Sequence, residues 1–142
     1  MAAMNSMRTR RVTVSTHEVV VDVGGVGSPV LLLHGFPQTR LTWRSVVPRL
    51  TETHTVVCPD LPGYGDSARL ADGPQGFDKA IVASHMVELM RSLRHERFVV
   101  VGHDRGGLVA FRAALDHPDT ITHLGVLDVG GGATAYVPLS AR

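Results

Sequence analysis

Short apolar runs recur along the chain and alternate with longer amphipathic stretches. The nearly continuous apolar runs lie at residues 30–33, 55–58 and 98–101, and a weaker one lies at 121–127. Runs of this kind are typical of central strands that are covered on both faces, as in parallel sheets. Two valine-rich segments, 12–14 and 19–23, come before these apolar runs and predict a further pair of strands.

Helical patterns lie between these runs. One apolar stripe with helical spacing is formed by Val82, Met86, Leu89, Met90 and Leu93. Residues 107–116 predict a second helix that ends before Pro118, and residues 43–50 predict a short one. The alternation of strands and helices predicts an α/β fold with a doubly wound, mostly parallel sheet.

Length and charge limit the classes of protein to consider. A chain of 142 residues suits one core, so we expect a disordered tail at 1–10 and a single domain at 11–142. The net charge of +1 argues against nucleic acid or a membrane surface as a partner. No apolar run is long enough to span a bilayer, and a lone cysteine, Cys58, suits the reducing cytoplasm.

Candidate chemistry lies where three of the predicted strands end. Polar or glycine-rich segments follow them at residues 34–37, 60–65 and 102–106. The carboxyl ends of parallel strands meet at one edge of a sheet, where α/β proteins bind their ligands. The sequence therefore predicts that these three segments form one site.

The segment Gly102–Gly106 fits the pattern glycine, any residue, nucleophile, any residue, glycine. This pattern is typical of the sharp strand-to-helix turn known as a nucleophile elbow. Its central residue is Asp104, a carboxylate that is ionised at neutral pH. Such a group suits displacement at a saturated carbon and leaves an alkyl ester on the enzyme. The alternative is that Asp104 is an ordinary helix N-cap.

All three segments resemble one group of enzymes. The stretch 34–39 with Trp43-Arg44, the stretch 60–67 and the elbow 102–107 are similar to haloacetate dehalogenases and their epoxide hydrolase relatives. These enzymes belong to the α/β-hydrolase superfamily, and the resemblance covers residues 12–128. It implies an α/β-hydrolase fold for this chain.

The resemblance also implies roles for individual residues. Asp104 would be the nucleophile, and the backbone N–H groups of Phe36 and Arg105 would form an oxyanion hole. The Arg105 side chain would bind a substrate carboxylate, with Trp43 also at the substrate. Asp128 would orient a catalytic histidine. The alternatives are a surface ion pair for Arg105 and a turn aspartate for Asp128.

The sequence departs from this group in two places. Leu108 stands where a second carboxylate-binding arginine is usual, which favours a neutral halide or an epoxide over haloacetate. Residues 129–142 contain no histidine, and the segment from Gly130 onward does not resemble the group. We therefore expect a fold that stops after the strand ending at Asp128, without cap or C-terminal strands. That strand would then be an exposed, association-prone edge.

The expected function is halide displacement through an alkyl-enzyme ester, on a small haloacid, halide or epoxide. Epoxide hydrolysis is one alternative, and a catalytically incomplete fragment or interaction subunit is another, because the histidine base is absent. A serine esterase is disfavoured because no serine occupies an elbow. We expect no cofactor and no metal. The expected macromolecular partners are a second copy or a complementing C-terminal chain.

Overall fold

One sheet of seven strands organises the part of the chain that the structure, a computed structural model, describes, namely residues 7–129 and 133–138. The strands are β1 (Arg8–Val14), β2 (His17–Gly24), β3 (Ser28–Leu33), β4 (His54–Pro59), β5 (Phe98–His103), β6 (Ile121–Val129) and β7 (Ala133–Pro138). Their order across the sheet is β1-β2-β4-β3-β5-β6-β7. The four central strands, β4-β3-β5-β6, run parallel to one another, and the outer pairings are antiparallel. The predicted α/β sheet is confirmed.

Three α-helices lie in the described part of the chain and connect its strands. They are α1 (Val47–Leu50), α2 (Lys79–Ser92) and α3 (Arg105–Asp116), with 3₁₀ turns at Arg40–Trp43 and Pro74–Phe77. Asp78 caps α2 by accepting hydrogen bonds from the N–H groups of Ala80 and Ile81. Within the described ranges, no helix has the length and apolar character needed to cross a membrane.

The core is divided between the two faces of the sheet. Leu31 and Leu33 of β3 pack in a large cluster with α2 and α3. Val30 and Leu32 point the opposite way and pack in a smaller cluster with α1. Successive strand residues face opposite sides, so burial on both faces explains the continuous apolar run at 30–33.

The amino-terminal strand begins earlier than the sequence predicts. Residues 8–10 were expected to belong to a disordered tail, but β1 starts at Arg8 and pairs with β2. The Thr9 hydroxyl also donates to Asp22, over 2.7 Å. The backbone hydrogen bonds between β1 and β2 hold residues 8–10 in an extended conformation that their own sequence does not indicate. The first six residues of the predicted tail lie outside the described residues.

The expectation of an exposed edge at β6 is wrong. The backbone of β7 pairs antiparallel with β6, from His123 opposite Pro138 to Val129 opposite Ala133, with an irregularity between Val126 and Val129. The ladder groups of β6 are therefore not open along this stretch. The glycines at 130–132 and residues 139–142 lie outside the described residues.

Candidate active site

The turn between β5 and α3 has the geometry of an elbow. Asp104 lies between the two elements with φ 53° and ψ −119°, a conformation that is uncommon for a residue with a side chain. A Cβ on Gly106 would overlap the carbonyl oxygens of Leu33 and His34, and one on Gly102 would overlap the Gly106 carbonyl. The two glycines therefore let the turn pack against β3. The Asp104 side chain makes no N-cap hydrogen bond, which argues against the alternative of an ordinary cap.

The Asp104 carboxylate faces the loop that follows β3. Its Oδ2 accepts a hydrogen bond from the Phe36 N–H over 3.0 Å, and Gly35 allows this approach because a Cβ there would lie 2.6 Å from the Asp104 Cβ. The Phe36 bond is the largest cause that lowers the pKa of Asp104 below its ordinary value of 3.8. Partial burial opposes the shift, whereas the Arg105 N–H and the charges of His103 and Arg105 support it. Asp104 is thus held as a carboxylate.

His34 holds this loop in place. The ring is fully buried, and its Nε2 accepts a hydrogen bond from the Leu61 N–H over 2.9 Å. Its Nδ1 lies 2.9 Å from the Gly35 carbonyl oxygen, so this nitrogen carries the proton of a neutral ring. Burial lowers the pKa of His34 and keeps the ring neutral. His34 therefore joins the loops after β3 and β4 and does not face the site as a base.

A buried charge cluster, which the sequence analysis missed, fixes the same two loops. Asp60 is fully buried, and its Oδ2 lies 2.6 Å from Nη1 of Arg40. Arg40 Nε also lies 3.1 Å from Asp22 on β2. Asp22 and Asp60 both lie within ion-pair distance of Arg40, so these carboxylates are counter-ions of the arginine. The sequence feature that could have indicated this cluster is Asp60 directly after the apolar run at 55–58, together with Arg40 in the loop after the run at 30–33.

Arg105 points into a cavity next to the elbow, and three of the residues that line this cavity are aromatic. Its Nη1 donates to the Tyr64 hydroxyl over 3.0 Å, and its guanidinium carbon lies 4.5 Å from the centre of the Phe36 ring. The cavity measures about 380 Å³ and is lined by Phe36, Pro37, Gln38, Thr39, Gly63, Tyr64, Gly65, Phe77 and Arg105. None of the ion pairs in residues 7–129 includes Arg105, so the alternative of a surface ion pair is not observed.

The structure does not place Trp43 at this cavity. The ring is 6% exposed and packs with Val30, Val47 and Val56 on the opposite face of the sheet. The prediction that Trp43 binds substrate is therefore not supported. Trp43 is therefore a core residue that packs with α1. Among the described residues, the buried cluster on this face of the sheet contains no other aromatic side chain.

Asp128 lies next to the elbow, where β6 ends. The Asp104 N–H donates to the carbonyl oxygen of the preceding residue, Leu127, over 3.0 Å. The Asp128 side chain is 69% exposed, and its Oδ2 lies 3.9 Å from Nε2 of His103. The other ring nitrogen of His103 lies 3.1 Å from Oε1 of Gln38. Asp128 therefore lies beside the elbow and close to the His103 ring, and its role in orienting a catalytic histidine stays a prediction.

The fold and the elbow together define a class of protein. A family model described as alpha/beta hydrolase fold matches residues 28–130, and the chain belongs to this family. A fluoroacetate dehalogenase from Burkholderia sp. is 50% identical over 109 residues, which are 75% of this chain and 36% of that protein. A soluble epoxide hydrolase from Corynebacterium sp. (strain C12) is 45% identical over 105 residues, 74% of this chain and 36% of that protein.

Solved structures agree with these relatives. The epoxide hydrolase CorEH, solved without ligand, superposes with a TM-score of 0.80 at 38% identity, over 87% of this chain and 43% of that one. Cfl2 from Burkholderia cenocepacia superposes with a TM-score of 0.82 at 34% identity, over 94% of this chain and 46% of that one. The chain therefore spans little more than a third of the curated relatives and less than half of the solved ones.

Proposed function

We propose that this chain carries the nucleophilic half of a hydrolase that displaces halide from a small haloacid through an alkyl ester on Asp104. The single observation that carries the proposal is the contact between the Phe36 N–H and Asp104 Oδ2, over 3.0 Å. When the nucleophile is itself a carboxylate, the ester carbonyl belongs to the enzyme. The oxyanion donors must then face the nucleophile's own oxygen, as this N–H does.

The first step forms a bond between Asp104 Oδ1 and the halogen-bearing carbon of the substrate. The carbon–halogen bond breaks at the same time, and the halide leaves with the electron pair. Asp104 Oδ2 becomes the carbonyl oxygen of the ester and keeps its hydrogen bond to Phe36. Arg105 binds the substrate carboxylate from within the cavity.

The second step, hydrolysis of the ester, needs a base that activates water. Asp128 would orient that base, as the resemblance implies, but its contact in residues 7–129 is only the long one to His103, 3.9 Å away. We therefore propose that this chain alone stops at the alkyl-enzyme. A C-terminal segment like that of the relatives, in the same or another chain, would supply the histidine.

Epoxide opening is the second candidate. The same attack by Asp104 would open a strained ring, and two observations favour it. Leu108 replaces the second arginine expected for haloacetate, and three aromatic side chains, Phe36, Tyr64 and Phe77, stand in the cavity wall. The name of the Corynebacterium relative also supports this candidate.

Intact-protein mass spectrometry after incubation with chloroacetate, and separately with a simple epoxide, tests the proposal. The expected result is one adduct that maps to Asp104 and is absent from Asp104→Asn. A Cys58→Ala background removes the thiol as a second nucleophile. Burial already raises the pKa of Cys58 to about 12, so the thiol should react little. A folded protein that gives no adduct at Asp104 with either reagent would contradict the proposal.

A further inference from the structure

The hydroxyl of Tyr64 is a donor with no acceptor in the described structure. Arg105 donates a hydrogen bond to its oxygen, so that bond does not use the phenolic proton. No acceptor for this proton is found among residues 7–129. The ring is half-buried and lines the cavity beside Arg105. The proton is therefore available to a group that enters the cavity.

The Tyr64 ring is held firmly from three sides. It makes edge contacts with the rings of His34, Phe36 and Phe77, at centroid distances of 5.3, 6.4 and 6.1 Å. His34 is itself fixed by hydrogen bonds to both loops. The hydroxyl position is thus set by packing, as a selective binding group requires.

Arg105 alone would hold a carboxylate less tightly, and orient it less well, than two donors on separate elements. Its guanidinium is exposed, and one of its N–H groups is already used by Tyr64. The position one helical turn further, where a second arginine would help, is Leu108, which does not line the cavity. Among the side-chain donors that line the cavity, Tyr64 is the one in hydrogen-bond contact with Arg105, so it is the best placed to share a ligand with it.

We propose that Tyr64 and Arg105 form a two-donor clamp for a carboxylate, in which the Tyr64 O–H donates to one carboxylate oxygen and the Arg105 guanidinium to the other. Tyr64 thus becomes a specificity-determining residue that takes the place of the missing arginine. The inference rests on the proposed function, because it assigns haloacids bearing a small apolar body, and not neutral epoxides, to the cavity walled by Phe36 and Phe77.

Equilibrium binding of unreactive ligands tests the clamp without any reaction at Asp104. Propionate and isobutyrate are titrated into the full chain, each against its neutral amide, and followed by NMR chemical shifts. We expect the carboxylates to bind more tightly than the amides. Tyr64→Phe should weaken carboxylate binding about tenfold, because one hydrogen bond to a charged group is lost, and leave amide binding unchanged.

Two further variants separate the hydroxyl from the packing. Phe77→Leu changes the same wall without removing a donor, so it should keep the preference for carboxylate. Arg105→Gln should leave a residual preference that a further Tyr64→Phe change abolishes. The clamp is refuted if the wild-type chain binds acid and amide equally, if Tyr64→Phe changes nothing, or if Phe77→Leu has the same effect as Tyr64→Phe. None of these outcomes depends on whether an adduct forms at Asp104.

Discussion

Asp104 combines two properties that a nucleophilic carboxylate needs. It lies on a turn that presents its side chain beside the cavity, and the Phe36 N–H lowers its pKa below 3.8. A serine at the same position would need a base to remove its proton before attack, whereas a carboxylate does not. The first half of the reaction should therefore be independent of any histidine.

This independence predicts a flat pH profile for alkylation. The rate of adduct formation at Asp104 should be constant from about pH 8 down to about pH 5, because the carboxylate stays ionised throughout. It should fall only as pH approaches the lowered pKa of Asp104, below 3.8. Initial rates of chloroacetate adduct formation measure this directly. A rate that halves between pH 7 and pH 6 would instead implicate a histidine, with His103→Gln as the variant to identify it.

For individual residues, the sequence predicted the elbow well and the side chains around the cavity much less well. The spacing of Gly102, Asp104 and Gly106 indicates a turn whose conformation is local, so it could be recognised without coordinates. The contact of Arg105 with Tyr64 joins residues 41 positions apart. No local pattern encodes such a pair, and the burial of Trp43 away from the cavity was missed for the same reason.

The elements of the sheet were predictable where burial alone determines the pattern. The runs at 30–33, 55–58 and 98–101 lie in β3, β4 and β5, because a strand covered on both faces is apolar along its central residues. β7 was not predicted. Its residues, Ala133–Pro138, mix small, polar and apolar types, and pairing with β6 gives them an extended conformation that their own sequence does not demand.

The close packing of the turn between β5 and α3 predicts that one added methyl group there will lower stability strongly. Gly106→Ala should lower the free energy of unfolding by about 3 kcal/mol, because the new Cβ meets backbone carbonyls of β3 that cannot move aside. Urea denaturation measures the change. Gly125→Ala on β6 is the matched control, since the atoms nearest to its Cβ would belong to the Val101 side chain, at 3.2 Å and beyond, and not to backbone. That variant should lose about 1 kcal/mol or less. Equal losses in both variants would contradict the geometry of the elbow.

At the scale of the whole molecule, α3 has an apolar stripe that no other described residue covers. Leu108, Phe111 and Leu115 recur at helical spacing, and Phe111 and Leu115 are 52% and 58% exposed. Surfaces of this kind mark contacts with another segment or chain. The stripe fits our proposal that this chain works with a C-terminal segment, because such a segment could cover it. The chain spans only 36% of the length of the Burkholderia and Corynebacterium relatives.

The uncovered stripe predicts self-association of the chain on its own. Sedimentation velocity should show a concentration-dependent dimer or larger species, because apolar surface is removed from water on contact. Phe111→Lys should shift the population to monomer. Val26→Lys is the control, because Val26 is 83% exposed but lies away from α3, and it should change nothing. A wild-type chain that remains monomeric at all concentrations would show that the stripe needs no cover.

The pairing of β7 with β6 has a consequence for any second polypeptide that would bind at this side of the sheet. The backbone groups along that side of β6 are already in use, so an incoming segment that extends the sheet there must first peel β7 away. Binding would then proceed by strand exchange, at a rate set by how often β7 detaches and not by how fast the two chains meet. The β7 segment would compete for β6, and the added segment would have to bind β6 more tightly than β7 does.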